Sequence, residues 1–306
     1  MSLGSKHNFL NLHWWVNPEM LAQLYAKALE KNIEVDYAKR FIRQHKLTTN
    51  APPHRVEHWP WAVKIYTLEK FIVLIDGKPL LFQGKVQKRP LDLLKAVISY
   101  GVVDVRVDKI IDSLWGGVDG DMGHSSFSTT LNRLRALLVH KEAIQVKDGK
   151  ISLNHQLCWI DTRAFRRALE EAEELAKKNN VKETTALYEK GLSFYKGHFL
   201  TGDDNKSWII SHRERLKNIF ILHIAKLGTL YEHEQKYGKA IACYEKGLEV
   251  DNLEENFYQR LMLCHHHRGH KMDCVKTYQR CQESLATTLG VEPSSETQKL
   301  YEKIMA

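Results

Sequence analysis

The chain has 306 residues, of which 43% are hydrophobic and 27% charged, a composition typical of a folded protein with room for two or three domains. Positive charge is concentrated in the first half: residues 1–160 carry 22 Lys+Arg against 15 Asp+Glu, a net charge of +7, whereas residues 161–306 carry 23 against 22, a net charge of +1. No run of about 18 apolar residues occurs, so the sequence predicts no helix that crosses a membrane.

Residues 8–50 are predicted to form a pair of short helices. Apolar side chains recur at helical spacing, first at Leu21, Leu24, Tyr25 and Leu29, then at Val35, Ala38, Phe41 and Ile42. Two helices of this length cannot bury their apolar faces alone, so we expect them to end a longer helical region. Prolines within residues 51–54 and 59–61 predict a stiff linker, which makes residues 1–60 a helical segment and linker.

Strand signals begin at Val63. Three short runs rich in β-branched and aromatic residues, 63–66, 71–75 and 80–82, predict a small antiparallel sheet. Asp76 and Gly77 lie between the last two runs and predict a tight two-residue turn.

Three helices and a hairpin follow this sheet. Pro90 is expected to begin the first helix and Gly101 to end it, while residues 107–114 predict the second. A glycine-rich acidic loop at 116–123 precedes a third helix from about 124 to 139, with Ser125 or Ser126 as its N-cap. Residues 143–146 and 151–153 flank an Asp-Gly turn and predict a hairpin. This order of elements predicts a winged helix-turn-helix over residues 61–160.

From Asp161 the sequence is helical and internally repeated. The five residues Tyr188–Leu192 recur unchanged at Tyr244–Leu248. The pair formed by Ala240 and Tyr244 recurs 34 residues later as Cys274 and Tyr278, and 34 residues is the period of tetratricopeptide helix pairs. Residues 161–306 are therefore expected to form a tetratricopeptide-like domain, and the predicted fold class is mainly α with a small antiparallel β component.

The third helix of the predicted winged helix has an unusual outer face. Its apolar residues Phe127, Leu131, Leu134 and Leu138 cluster on one side. The other side presents hydroxyls, an amide and an arginine, whereas an ordinary solvated helix usually shows Glu and Lys. Short donors without carboxylates can approach a DNA groove and read base edges. The base-reading candidates are Ser126, Thr129, Asn132 and Arg133.

Several cations and one hydroxyl flank this helix in the predicted fold. Each is ordinary by itself, because a lysine near a turn is usually only solvated. Together they surround the same helix and could contact phosphates on either side of it. The phosphate candidates are Lys85, Lys88, Arg89, Ser125, Arg135, Lys147 and Lys150.

These motifs also resemble known families. Residues 66–160 resemble the winged helix of response regulators, and Leu114-Trp115 with Leu131–Arg135 resembles the pattern of SARP-type antibiotic-pathway activators. Residues 161–306 resemble the bacterial transcriptional activator domain that follows this winged helix. The motifs that carry the second resemblance are 159–161 with Phe165, 195–200, Trp208, 212–216, 251–255, Gly269 and 289–294.

The resemblance implies a transcriptional activator that binds direct repeats in double-stranded DNA and recruits RNA polymerase. It also implies that residues 8–50 end the upstream regulatory region of a larger activator. Two positions depart from the family pattern. The wing tip, Asp148-Gly149-Lys150-Ile151, lacks the usual Gly-Gly-Tyr-like sequence, which puts minor-groove contacts of the wing in doubt, and Cys274 replaces an alanine of the last repeat.

Other chemistry finds little support, so we expect no enzyme and no cofactor. The chain has no phosphate-binding glycine loop, no nucleophile elbow and no dinucleotide fingerprint. His233-Glu234 lacks the second histidine of a zinc-protease helix. The run His265–His267 with His270 is expected not to converge on a metal, because adjacent helical side chains point about 100° apart and Gly269 ends the helix. Five cysteines, an odd number and mostly in predicted helices, favour a reducing cytoplasm.

A second hypothesis belongs to a different class. The helical repeats could hold a peptide, with the winged helix serving as a protein-docking module in an interaction scaffold. This alternative explains the repeats equally well. It explains the carboxylate-free face of the third helix less well.

Overall fold

The computed structural model describes residues 6, 17–47, 52–81, 88–117, 120–203 and 206–306. By their internal contacts the residues form two compact units, the first comprising Met1–Ala164 with Phe199–Arg213 and the second Phe165–His198 with Glu214–Ala306. The units thus alternate along the chain, and the domain boundary expected at residue 160 stays a prediction. Among the described helices, none combines the length and apolarity that a membrane span requires.

Among the described residues, the first unit contains a pair of helices near the N-terminus, two small sheets and the three helices of a winged helix. Its elements are α1 (Pro18–Glu30), α2 (Val35–Gln44), β1 (Val63–Tyr66), β2 (Ile72–Ile75), β3 (Lys78–Pro79), α3 (Lys88–Tyr100), β4 (Val105–Arg106), α4 (Val107–Trp115), α5 (Gly120–Leu138), a 3-10 turn (Lys141–Ala143), β5 (Ile144–Lys147), β6 (Lys150–Leu153) and β7 (Cys158–Ile160).

The first two helices pack as the pair that the sequence predicts. Asn17 caps α1 by accepting hydrogen bonds from the backbone of Glu19 and Met20. The rings of Tyr25 and Phe41 stack with centroids 4.6 Å apart and join α1 to α2. Leu24, expected on the buried face, is 55% exposed. The buried face is formed by Ala22, Tyr25, Ala28 and Leu29.

Residues 52–61, expected to be a linker, pack into the core of the first unit. His54, Val56, Trp59 and Trp61 are all buried. The Trp61 indole donates to the Val56 carbonyl at 3.1 Å, and the Trp159 indole donates to the His54 carbonyl at 2.6 Å. An extended linker would leave these large aromatic side chains in water, whereas packing them into the core buries a large apolar surface. The prolines therefore lie in a packed segment.

The first sheet has the strand order β3-β2-β1-β7. The predicted turn at Asp76 and Gly77 is confirmed, with φ of 49° and 84°, both in the left-handed region that a tight hairpin turn needs. The third strand begins at Lys78, two residues before the predicted start, because a two-residue turn pairs Lys78 directly with Ile75. The sequence did not predict β7, which runs parallel to β1.

Asp161 ties the end of this sheet to the start of the next helix within the first unit. Its carboxylate accepts four hydrogen bonds, from the backbone of Thr67 at 2.6 Å, Leu68 at 2.7 Å and Thr162 at 2.7 Å, and from the Thr67 hydroxyl at 2.7 Å. The residue is only 3% exposed. Burial raises the pKa of Asp161 to about 6, while these donors favour the ionised form.

Residues 199–213 join the first unit through specific contacts that the sequence did not indicate. The backbone of Leu200 donates to the Thr67 carbonyl at 2.8 Å. Two ion pairs tie the segment to α3, Lys206 with Asp92 and Lys95 with Asp203, each at 2.6 Å. The first unit is therefore larger than a minimal winged helix.

The second unit is a helical repeat array, as predicted. Its helices, of which the first and third begin in the first unit, are α6 (Asp161–Lys177), α7 (Val181–Leu192), α8 (Ser207–His233), α9 (Tyr237–Val250), α10 (Glu255–His267), α11 (Lys271–Leu289) and α12 (Ser295–Met305). All five cysteines of the chain are buried and reduced. Burial raises the pKa of the Cys281 thiol to about 12, which makes it a poor nucleophile.

The repeated five-residue motif has the same structural role twice. The hydroxyl of Tyr188 donates to Glu173, and that of Tyr244 donates to Glu232, so each tyrosine bonds a glutamate of the preceding helix. A Cβ at Gly191 would lie 2.9 Å from the Leu169 side chain, and one at Gly247 would overlap the Phe257 ring. The glycines are therefore needed for close helix packing.

Candidate nucleic-acid interface

Helix α5 carries the residues predicted to read DNA. The four apolar residues expected on its inner face, Phe127, Leu131, Leu134 and Leu138, are buried, and the helix packs against α3 and α4. This burial confirms the predicted face and fixes the rotation of the helix. The opposite side therefore faces solvent.

The described outer face matches the predicted chemistry. Thr129, Asn132 and Arg133 are exposed, as is the phosphate candidate Ser125, whereas Ser126 is half-buried. No Asp or Glu occurs between Met122 and Leu138. A stripe of hydroxyl, amide and guanidinium groups can donate to base edges and phosphates without repelling either.

The start of α5 differs from the prediction. The helix begins at Gly120, so Ser125 and Ser126 lie inside it and neither is the N-cap. Gly123 explains the difference, because a Cβ at this position would lie 2.7 Å from the Ile111 side chain of α4. Gly123, expected to lie in a loop, instead allows the first turn of α5 to pack closely on α4.

The wing presents a row of three cations. Lys150 of β6 lies directly opposite Lys147 of β5 on one side and opposite Arg106 of β4 on the other. Directly paired residues of an antiparallel sheet share a face, and like charges in that position are destabilising unless an anion neutralises them. The three side chains are exposed. We refer to Arg106, Lys150 and Lys147 as the wing cation row.

Arg106 was missed by sequence reasoning. The strand that positions it, β4, has only two residues, which is too short to be recognised from alternation of apolar and polar residues. Its guanidinium contacts Asp108 at 3.2 Å, and the same carboxylate lies 3.9 Å from His124. Exposed ion pairs of this kind contribute little to the free energy of folding, so Arg106 can release Asp108 and bind a phosphate instead.

A shallow groove connects α5 to the wing. A cavity of about 500 Å³ is lined by Arg135, Lys141, Glu142 and Lys147, together with residues 144–146. It brings two predicted phosphate candidates, Arg135 and Lys147, to one surface and adds Lys141. Three cations against one carboxylate leave the groove positive.

The remaining phosphate candidates lie near the start of α3. Lys88 is exposed. Arg89 donates from its guanidinium to the Leu114 carbonyl at 2.9 Å, so it stabilises the C-terminal end of α4. This bond makes Arg89 a positioning residue more than a free phosphate ligand. Lys85 lies outside the described residues.

The histidine-rich turn of the second unit is arranged differently from the expectation. His265 and His270 approach each other, and together with Asp273 they place three potential ligand atoms within 4.8 Å of one another. The expectation that these side chains would not converge is wrong for His265 and His270. The turn at Gly269, with φ of 74°, folds the chain back and returns His270 to the end of α10.

Comparison with known proteins supports the fold and identifies one domain. Residues 160–305 match the family model described as bacterial transcriptional activator domain. The structure of Mycobacterium tuberculosis EmbR in complex with a low-affinity phosphopeptide is similar, with a TM-score of 0.64 and 18% identity; the match covers 80% of this chain and 65% of that chain. This chain thus spans less than two thirds of the EmbR chain.

A second solved structure is the C-terminal TPR-containing domain of a Plasmodium falciparum FK506-binding protein. Its TM-score is 0.35 at 19% identity, and the match covers 47% of this chain and 88% of that chain. Among curated protein sequences, none matches the chain significantly.

Proposed function

With residues 160–305 belonging to the bacterial transcriptional activator domain family, we propose that this chain is a transcriptional regulator that binds DNA in a sequence-specific way through α5. The family is one of transcription regulators and not of enzymes, and the proposal assigns the chain no catalytic activity. The proposed sign of regulation is activation.

The observation that carries the proposal is the exposed face of α5. It offers Thr129, Asn132 and Arg133 to solvent and carries no carboxylate from Met122 to Leu138. An α-helix fits the major groove of B-DNA, where an arginine can bind guanine and an asparagine can bind adenine through two hydrogen bonds each. The proposed base-reading residues are these three with Ser126.

The wing cation row supplies the proposed contacts to the DNA backbone. Its like charges are held side by side, an arrangement that a phosphate would stabilise. Arg135 and Lys141 extend the positive surface from the wing towards the end of α5. Lys88 and Ser125 complete the proposed set of phosphate contacts.

The second unit is proposed to supply protein contacts. Helical repeats form surfaces that bind peptides or neighbouring domains, and RNA polymerase and an upstream regulatory region are the proposed partners. Direct repeats are the proposed form of the DNA site. These assignments rest on the family of residues 160–305.

Arg133→Ala is expected to weaken binding to the preferred DNA site by about 1–3 kcal/mol, or 5–150-fold, because it removes a base contact. The preferred site is first selected from a random-sequence pool with the wild-type chain. Binding of selected and random duplexes is then compared by fluorescence anisotropy. The loss should be much smaller on random duplex.

Lys88→Ala is the matched control for a phosphate contact, since it removes one exposed cation outside α5. It should weaken binding to selected and random duplexes to a similar extent. If Arg133→Ala also weakened both equally, Arg133 would be a phosphate contact and its assignment as a base-reading residue would be wrong.

A further inference from the structure

The turn between α10 and α11 gathers three potential metal ligands. His265 lies in the last turn of α10, His270 is the N-cap residue of α11, and Asp273 lies in the first turn of α11. The backbone of His270 donates to the His265 carbonyl at 2.9 Å, which fixes the two residues against each other. The imidazole rings stack with centroids 6.3 Å apart.

The separations between the three ligand atoms suit a small divalent cation. Nδ1 of His270 lies 3.4 Å and Nδ1 of His265 lies 3.9 Å from Oδ2 of Asp273. One potential ligand atom from each of the three residues lies within 4.8 Å of the other two. Tetrahedral zinc binds histidine nitrogen and carboxylate oxygen at about 2.0–2.2 Å, which places ligand atoms roughly 3.3–3.5 Å apart. The two separations from Asp273, 3.4 and 3.9 Å, are close to this spacing.

Nδ1 of His265 provides an independent indication. This atom is buried, and no hydrogen-bond partner for it occurs among the described residues. Burying a polar nitrogen without a partner costs free energy, and a metal bond would remove that cost.

The surroundings are compatible with a bound cation. His265 lies at the C-terminal end of α10, where the helix dipole places partial negative charge. Among the nearby groups whose charges act on His265, Asp273 and Glu245 are acidic, while His270 and Arg268 are basic. The side chains of His270 and Asp273 are 43% and 44% exposed, so the site is open to solvent on one side.

We propose that His265, His270 and Asp273 form a binding site for a divalent cation of the zinc class, with at least one coordination position open to water or a further ligand. Two imidazoles and one carboxylate favour zinc or a similar transition metal over magnesium or calcium, which prefer oxygen ligands alone. A bound ion would join α10 to α11. It would therefore stabilise the last helix pair of the second unit.

Zn²⁺ titration of the full chain tests this site after chelator treatment and removal of any affinity tag. We expect saturable binding of one ion in competition with a chromophoric chelator, and a higher midpoint of thermal unfolding in saturating Zn²⁺. His270→Gln and Asp273→Asn should each weaken the affinity at least about tenfold, since even the loss of an outer-shell partner costs that much.

His266→Gln is the matched control, because His266 is an exposed histidine next to the proposed ligand. It should bind Zn²⁺ as the wild type does. Co²⁺ gives a second readout: a visible spectrum without a sulfur-to-metal charge-transfer band is expected, since no thiolate is among the ligands. Absence of one-to-one binding, binding unchanged in His270→Gln and Asp273→Asn, or loss of binding in His266→Gln would each overturn the proposal.

Discussion

Asp161→Ala is expected to lower the free energy of unfolding of the first unit by about 3 kcal/mol or more. The change leaves three buried backbone N–H groups, those of Thr67, Leu68 and Thr162, without their acceptor. Each unsatisfied buried donor costs about 1–3 kcal/mol, and partial entry of water keeps the total below the sum. The assay is run at pH 7.5, above the pKa of Asp161 of about 6, so that the variant is compared with a wild type in which this side chain is ionised.

Urea unfolding followed by tryptophan fluorescence measures this effect selectively. All tryptophans of the chain fall within the residue ranges of the first unit, so the signal reports on that unit. Asp161→Asn keeps one acceptor oxygen and should lose roughly half as much stability. Asp112→Ala, an exposed aspartate of the same unit, should change it by less than about 0.5 kcal/mol. An Asp161→Ala midpoint equal to that of Asp112→Ala would contradict the assigned role.

Gly247→Val is expected to destabilise the second unit by about 3 kcal/mol, the upper end of the cost of overpacking a core. A Cβ at Gly247 would overlap the ring of Phe257, which is only 1% exposed, so the close-packed core leaves little space for the ring to move. The two added methyl groups increase the overlap. Urea unfolding monitored by far-ultraviolet circular dichroism is the measurement, because this unit is helical.

Gly238→Val in the same helix is the matched control. A Cβ at Gly238 meets no atom within 4 Å, and the residue is exposed. The same substitution should therefore leave stability within about 0.5 kcal/mol of the wild type. If both variants lost equal stability, helix propensity and not the contact with Phe257 would explain the glycine of the repeated motif.

The sequence predicted the elements whose signal is local. Apolar spacing placed the buried faces of α3, α4 and α5, and the Asp-Gly pairs placed both hairpin turns. At Asp148 and Gly149 the φ values of 50° and 69° match the turn expected from those residue types. These features depend on neighbours within a few residues, so one sequence suffices to find them.

Elements that depend on distant partners were missed. Strand β7 has three residues and exists because β1 offers it a free edge about 95 positions earlier in the chain. The contacts of residues 199–213 with α3 likewise connect positions more than 100 residues apart. Nothing in the local pattern of either segment indicates its partner.

The candidate site was predicted in its helix and only partly in its wing. The exposed face of α5 follows from periodicity alone, whereas the wing cation row needs the register of three strands. The sequence predicted that Gly123 would lie in a loop, because glycine usually ends helices. In the structure Gly123 lies inside α5, where it allows close packing against Ile111. Gly269 does follow the end of α10 as expected, but the sequence did not predict that its turn would bring His265 and His270 together.

DNA binding by the winged helix is tested by the salt dependence of binding to a random duplex. Binding of the full chain is measured by fluorescence anisotropy at about 50 and 200 mM salt. Contact with about five phosphates gives a slope of log affinity against log salt near −4.5, or roughly a 500-fold loss over this range.

The decisive comparison is Lys147→Ala/Lys150→Ala against Lys178→Ala/Lys182→Ala, which removes two exposed lysines of the second unit. The wing variant is expected to bind more weakly, with a slope shallower by about 2, and the control is expected to bind as the wild type does. Absence of wild-type binding at 50 mM salt, or a slope that the wing variant leaves unchanged, would contradict DNA binding by the winged helix and favour a protein-interaction scaffold.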